Sequence, residues 1–209
     1  MSLTDTTAEE RVLEGAAFAT RFFMGTSDIH QALRRLLDAL GQIDVPHAII
    51  GALALGEYGY RRVTEDVDVL LTEEGLDTFK EAFLGRGYVE KFPGSKGMRD
   101  TASGVAIDVV LAGAYPGDGE PKPVRFPDPA NAAVRGDKMA LLPLERLIEL
   151  KLASGMTAPH RLRDLADVLE LIRLRSLPEG FSDALDPYVR DKFLELWRAA
   201  QSRDPDSIR

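Results

Sequence analysis

The sequence predicts an α/β (α+β) fold: a short mixed β-sheet flanked by helices, with a helical C-terminal extension. Three observations carry that expectation. A strand–glycine–helix–strand run fills residues 47–71, HAIIGALALGEYGYRRVTEDVDVLL. Through residue 142, short apolar runs of strand length alternate with stretches whose apolar residues recur at helical spacing. From Pro143 onward only the helical spacing persists. The expected organisation is a core over residues 1–142, N-terminal helices included, with a helical subdomain over residues 143–209 packed on it.

Composition bounds the function. The chain has 209 residues, 44% apolar and 29% charged, enough for an ordinary globular core. It holds no run near 18 apolar residues, and its acidic N-terminus lacks a basic-then-apolar leader pattern, so a cytoplasmic protein without a membrane span is expected. Cysteine is absent, which excludes thiol chemistry and disulfides. The net charge of −8 makes a non-specific grip on long DNA a poor expectation. The charge is unevenly placed: residues 1–90 carry 8 basic against 16 acidic side chains, residues 121–175 carry 10 against 7.

Taken in order, residues 8–24 have helical spacing, with Val12, Leu13, Ala16, Phe18, Phe22 and Phe23 as candidate buried positions. Ser27 or Asp28 caps a second helix over 29–40, whose stripe is Leu33, Leu36, Leu37 and Leu40. Arg34, Arg35 and Asp38 face water there, and His30 reads as a surface residue. His47–Ile50 is a buried strand ended by Gly51; Ala52–Tyr58 is a short helix, and Asp66–Leu71 is the next strand. Thr72–Glu74 caps a helix through Phe83, with Leu76, Phe79, Ala82 and Phe83 inward. Tyr88–Glu90 starts a strand, and Met98–Thr101 with Val105–Leu111 form a hairpin. Residues 112–136 form a long loop, a possible substrate lid, with a short strand near Val124–Phe126. Lys138–Leu142 is a last short strand. An amphipathic helix over 144–153 is broken at 155–159. The next, His160–Leu174, carries the stripe Leu162, Leu165, Ala166, Leu169 and Ile172. A final helix over 187–200 bears Phe193, Leu196 and Trp197, and the tail from Gln201 is polar and frayed.

The chemistry concentrates in the central run. Strand side chains alternate, so Asp66 and Asp68 point to one side and repel unless a positive charge lies between them. Paired oxygen ligands of this kind suit Mg²⁺ or Mn²⁺; a solvated acidic edge strand is the alternative. A glycine turn into a helix N-terminus, as at Gly51, suits a phosphate. Asp108 is the one carboxylate in the apolar strand 105–111, and an ionised Asp there needs a cation, Arg99 or Arg62 among the candidates, or an exposed face. Lys151–Glu149 and Arg163–Asp167 can be read as helix-surface charges worth a few tenths of a kcal/mol.

Gly51-Ala52, a thirteen-residue spacer and Asp66-x-Asp68 resemble the signature of the polymerase-beta-like nucleotidyltransferase superfamily, Gly-Gly or Gly-Ser followed by Asp-x-Asp or Asp-x-Glu. Arg62-x-Thr64-x-Asp66-x-Asp68 is similar to the version in its small AbiEii-type members. Ala52 departs from the pattern: it keeps a close backbone approach but has no side-chain donor for a phosphate. The setting of Asp108 resembles that of the family's third carboxylate. Leu144-Glu145-x-Leu147-Ile148-x-Leu150-Lys151 with Arg163-Asp164 is similar to the paired helices that face the AbiEii-type site. The resemblance spans about residues 43–172. It implies a nucleotidyltransferase that uses Mg²⁺ (or Mn²⁺) and moves an NMP group from an NTP, ATP for example, to a hydroxyl. It implies Asp66, Asp68 and Asp108 as metal-holding catalytic residues, joined in catalysis by Lys151 and Asp164. Gly51, Ala52, Arg62, Thr64, Lys151 and Arg163 would contact the nucleotide. The acceptor could be a tRNA or RNA end, a protein or a small molecule, and the acidic balance favours a cationic small molecule. A toxin with an antitoxin partner is implied by the AbiEii likeness. The alternative is a catalytically inactive member that binds a nucleotide or a protein partner, for which Ala52 is the support.

Overall fold

The two strands flanking Gly51 lie in the middle of one mixed sheet. In the computed structural model, residues 8–136 and 138–202 are described. The strands are β1 (Ala48–Ile49), β2 (Asp66–Leu71), β3 (Tyr88–Glu90), β4 (Met98–Asp100), β5 (Ala106–Leu111), β6 (Val134–Arg135) and β7 (Ala140–Leu141). The helices are α1 (Ala8–Phe23), α2 (Asp28–Gln42), α3 (Gly51–Glu57), α4 (Glu73–Phe83), α5 (Pro129–Ala132), α6 (Leu144–Thr157), α7 (Leu162–Arg175) and α8 (Pro187–Gln201). The sheet order is β3-β4-β5-β2-β1-β7-β6. β2 pairs antiparallel with β1 and parallel with β5 along its whole length, with Asp68 opposite Asp108. The expected mixed sheet with flanking helices is therefore the fold.

β2 shows why this strand is central. Val67, Val69, Leu70 and Leu71 are fully buried, and the polar alternate positions Asp66 and Asp68 emerge at the strand's N-terminal end. Burying each such apolar side chain is worth about 1.5–3 kcal/mol, which fixes the strand's register against a slip that would exchange its faces. α4 begins as its capping residue predicts: Thr72 Oγ1 accepts from the Gly75 N–H at 3.0 Å. Leu76 and Phe79 are buried beneath it, and Phe79 meets Tyr88 edge-on.

Several expectations are corrected. On α1 only Phe22 of the six candidates is buried; Phe18 is half-buried, and Val12, Leu13, Ala16 and Phe23 are exposed. Among the described side chains, α1 packs on the core through Phe18 and Phe22, in its C-terminal half. His30 is not a free surface residue, because its Nδ1 lies 2.9 Å from Ser27 Oγ and its ring packs on Phe22. Arg35 does not face water but grips buried Asp100 with two hydrogen bonds of 2.9 and 2.7 Å. Burial pushes the Asp100 carboxyl up, but Arg35 and Ser103 outweigh it and hold it below the usual carboxylate range.

Residues 124–126 form no strand; Phe126 instead exchanges backbone hydrogen bonds with Gly113 and Ala114, and α5 and β6 follow. α6 is not amphipathic in its setting. Every residue from Leu147 to Gly155 is buried, because α7 and α8 both pack on this helix. Nor does Gly155 break it: a Cβ there would lie 2.5 Å from Leu165 Cγ, so this glycine lets α6 and α7 approach. The α7 stripe is rotated from the expected one. A 3₁₀ turn at Pro159–Arg161 starts the helix at Leu162, which is exposed with Ala166, and Val168, Leu171 and Ile172 are buried. The polar tail expected to fray begins inside α8 at Gln201, and its last seven residues lie outside the described range. Among the described residues no helix is long and apolar enough to cross a membrane.

Candidate functional site

Strand alternation places Asp66 and Asp68 on one face, and the parallel β2–β5 register sets Asp108 beside Asp68. The three carboxylates each offer an oxygen atom, and these atoms all lie within 4.8 Å of one another. They open into a cavity of about 850 Å³, within the size range of small-ligand sites. Burial first, then the neighbouring charges of Asp66 and Asp108, push the Asp68 carboxyl up to about 6, against the opposing pull of Lys151 and Arg62. An all-oxygen, over-charged cluster is the donor set a hard divalent cation needs, so the residues present fit Mg²⁺ or Mn²⁺.

Gly51 is explained by contact. Its φ is +66°, and a Cβ there would lie 1.9 Å from Asp68 Oδ2. Gly51→Ala is therefore expected to cost at least about 1–2 kcal/mol from the left-handed backbone alone and to push Asp68 out of the cluster. Thermal unfolding with and without Mn²⁺ measures both effects, and a variant with wild-type Mn²⁺ stabilisation would contradict the placement. Thr64 Oγ1 donates to Asp66 Oδ1 at 2.5 Å, fixing that carboxylate. Ala52 does not line this cleft. It is buried and borders a second cavity behind α3, with Phe22, His30 and Arg61.

Across the cleft, α6 and α7 supply a buried charged network. Lys151 Nζ donates to Asp164 Oδ1 at 2.8 Å and to Asp167 Oδ2 at 2.7 Å. Arg62 grips the same Asp167 through Nε at 2.9 Å and Nη2 at 3.1 Å. Ser154 Oγ donates to Asp164 Oδ2 at 2.7 Å. Burial raises the Asp164 carboxyl, but Lys151, Ser154 and Arg161 together hold it below the usual range. Asp164 thus contacts Lys151, whereas the surface pairs Lys151–Glu149 and Arg163–Asp167 are not formed. Glu149 instead bonds Arg146 and the Asp186 N–H. Arg163 is exposed and lines the cleft with Lys96, His160 and Arg161.

The structure thus brings together Gly51, Arg62, Thr64, Asp66, Asp68, Asp108, Lys151, Arg163 and Asp164, and leaves Ala52 outside. Two residues of weight were missed. Asp167 was masked by its i,i+4 spacing from Arg163. Lys91, just before the turn Phe92-Pro93-Gly94, contacts Asp108 in place of the expected Arg99 or Arg62. Arg99 lies at an outward position of β4 and bonds Gly104 O. Residues 114–117 of the long loop form a wall of the cleft, pressed on α6 where a Cβ at Gly117 would meet Thr157 Oγ1 at 2.2 Å.

No family model matches the chain, and no curated protein matches it. Among solved structures it is similar to a proposed nucleotidyltransferase from Thermotoga maritima, with 19% identity, a TM-score of 0.46, and coverage of 67% of this chain and 91% of that one. It is similar also to ANT(2″)-Ia in complex with adenylyl-2″-tobramycin, with 14% identity, a TM-score of 0.47, and coverage of 82% and 98%. A third likeness is to JHP933 from Helicobacter pylori, with 18% identity, a TM-score of 0.46, and coverage of 83% and 89%.

Proposed function

We propose that this protein is a Mg²⁺-dependent nucleotidyltransferase that moves an NMP group from an NTP to a hydroxyl acceptor. The observation that carries the reading is one cleft with a carboxylate triad on one wall and a line of cations on the other. Asp66, Asp68 and Asp108 would hold the divalent cation, which when bound supplies Lewis-acid stabilisation of the phosphoryl oxygens. Lys96, Arg161 and Arg163 line the cleft and would offset triphosphate charge, while Arg62 and Lys151 are pre-set by Asp164 and Asp167. Positioned cations of this kind cost no reorganisation at the moment of transfer. Tyr115 and Phe126 give the wall aromatic surface for a base. Asp108 is partly open, its side chain 42% exposed, and is the carboxylate that would take the proton from an acceptor hydroxyl. Ala52 borders the second cavity, so the reading rests on the triad and the cations and not on a side-chain donor at position 52.

Calorimetric titration of each NTP, with and without Mg²⁺, on wild type and on Asp66→Asn/Asp68→Asn tests the reading. Mg²⁺-dependent binding of at least one NTP, lost in the double variant, is the expected result. No binding of any NTP would overturn it. Transfer of label from the bound NTP to tRNA, or to small cationic alcohols, then separates an RNA-directed toxin from a small-molecule modifier; the acidic chain favours the second.

A further inference from the structure

The triad already touches a cation of the chain itself. Lys91 Nζ donates to Asp108 Oδ1. The contact is built by its loop rather than left to a wandering surface side chain. Lys91 N–H donates to Gly97 O at 3.0 Å, and a Cβ at Gly97 would lie 3.1 Å from Lys91 Cδ and 3.3 Å from Cε, so glycine opens the channel for the lysine stem. Lys80 Nζ ties the turn through Ser95 O at 2.7 Å and Glu90 Oε1 at 2.6 Å. Glu90 Oε2 in turn accepts from the Gly94 N–H at 2.8 Å. Arg62 and Lys151, the two cations whose charge acts on Asp68, are engaged by Asp164 and Asp167, two cations for two carboxylates. Three carboxylates against one ammonium leave two negative charges, the charge of a single divalent ion.

We infer that Lys91 is a tethered counter-cation of the triad, supplying at Asp108 the positive charge that a second divalent ion would otherwise bring. In the nucleotide-free protein the site takes one divalent ion, and Lys91 opposes the entry of another. Lys91 is a positioning residue: by holding Oδ1 it fixes Asp108 and leaves the second carboxylate oxygen to face the divalent ion. The inference rests on the metal-dependent reading proposed above.

Mn²⁺ titration without nucleotide, followed by the electron paramagnetic resonance of free Mn²⁺, tests it on wild type, Lys91→Met, Lys91→Gln, Lys91→Arg and Asp68→Asn. Removing a unit charge beside a divalent ion is expected to tighten Mn²⁺ binding about tenfold, or to admit a second equivalent, in both Lys91→Met and Lys91→Gln. Lys91→Arg, which keeps the charge, should bind like wild type, a rescue that a merely structural role would not give. Neutral variants indistinguishable from wild type, with Asp68→Asn losing the ion, would overturn the role of Lys91 and leave the metal site standing. Mn²⁺ ignored by wild type and neutral variants alike would overturn the metal site itself, and this inference with it.

Discussion

Asp167→Ala is expected to lower folding stability by about 3–5 kcal/mol, the cost typical of removing one partner from a buried ion network. Asp167 is 1% exposed and accepts three charged hydrogen bonds, two from Arg62 and one from Lys151. Its loss leaves the Lys151 ammonium buried with Asp164 alone and releases Arg62 from a bidentate grip. The network joins the segment before β2 to α6 and α7, so the cleft's cationic wall should loosen as well, and NTP affinity should fall with stability. Asp167→Asn keeps the shape and one acceptor and should cost less. The exposed Arg173–Glu170 pair at 3.0 Å is the internal control, because removing it should change stability by less than about 1 kcal/mol. Urea unfolding of the three variants decides the matter. A loss for Asp167→Ala no larger than for the control pair would mean that water reaches the network.

The sheet was legible because its strands are short, apolar and bounded by glycine or capping residues. β2 and β3 fall at the expected residues, and β5 within one of them. The acidic triad was legible in part: period-two alternation gives Asp66 and Asp68 a common face, while the neighbourly position of Asp108 depends on a parallel register that no local pattern encodes. Asp108 was reached through the resemblance and the cost of an unpaired carboxylate in an apolar strand. Burial of the helices was the harder reading. α6 carries Glu149 and Lys151 at positions that look solvent-facing, yet both are buried, because each meets a partner distant in sequence: the Asp186 N–H for one, Asp164 and Asp167 for the other. Arg35 failed to stand out for the same reason, its partner Asp100 lying 65 residues away. Helical spacing reports which side chains are apolar, and it is silent on polar side chains that find long-range partners. α1 shows the converse, apolar spacing at Val12 and Leu13 with no surface to cover it among the described residues.

Asp68→Asn should stabilise the metal-free protein while abolishing its response to a divalent ion. A carboxyl raised from 3.8 to about 6 is paying for its charge in the folded state, at most about 3 kcal/mol at neutral pH by linkage. The sign follows from proton uptake: between pH 3.8 and about 6 the folded protein binds more protons at this group than the unfolded chain. Its contribution to stability therefore falls as pH rises through that window and stays low above it. The advantage of Asp68→Asn is expected to vanish below about pH 3, where the carboxyl is neutral in the folded and unfolded chains alike, and to reach its plateau above about pH 7. Thermal unfolding of the two proteins across that range reads it directly. Mn²⁺ should reverse the order at neutral pH, raising the Tm of wild type and leaving the variant unmoved, because the repulsion among Asp66, Asp68 and Asp108 is relieved by the ion that they would hold. An Asp68→Asn protein no more stable than wild type at pH 8 would mean that Lys91 and the cations of the opposite wall already neutralise the cluster. A destabilised site relieved only by its ion is what a binding centre requires, since binding free energy is drawn from strain that the fold itself maintains.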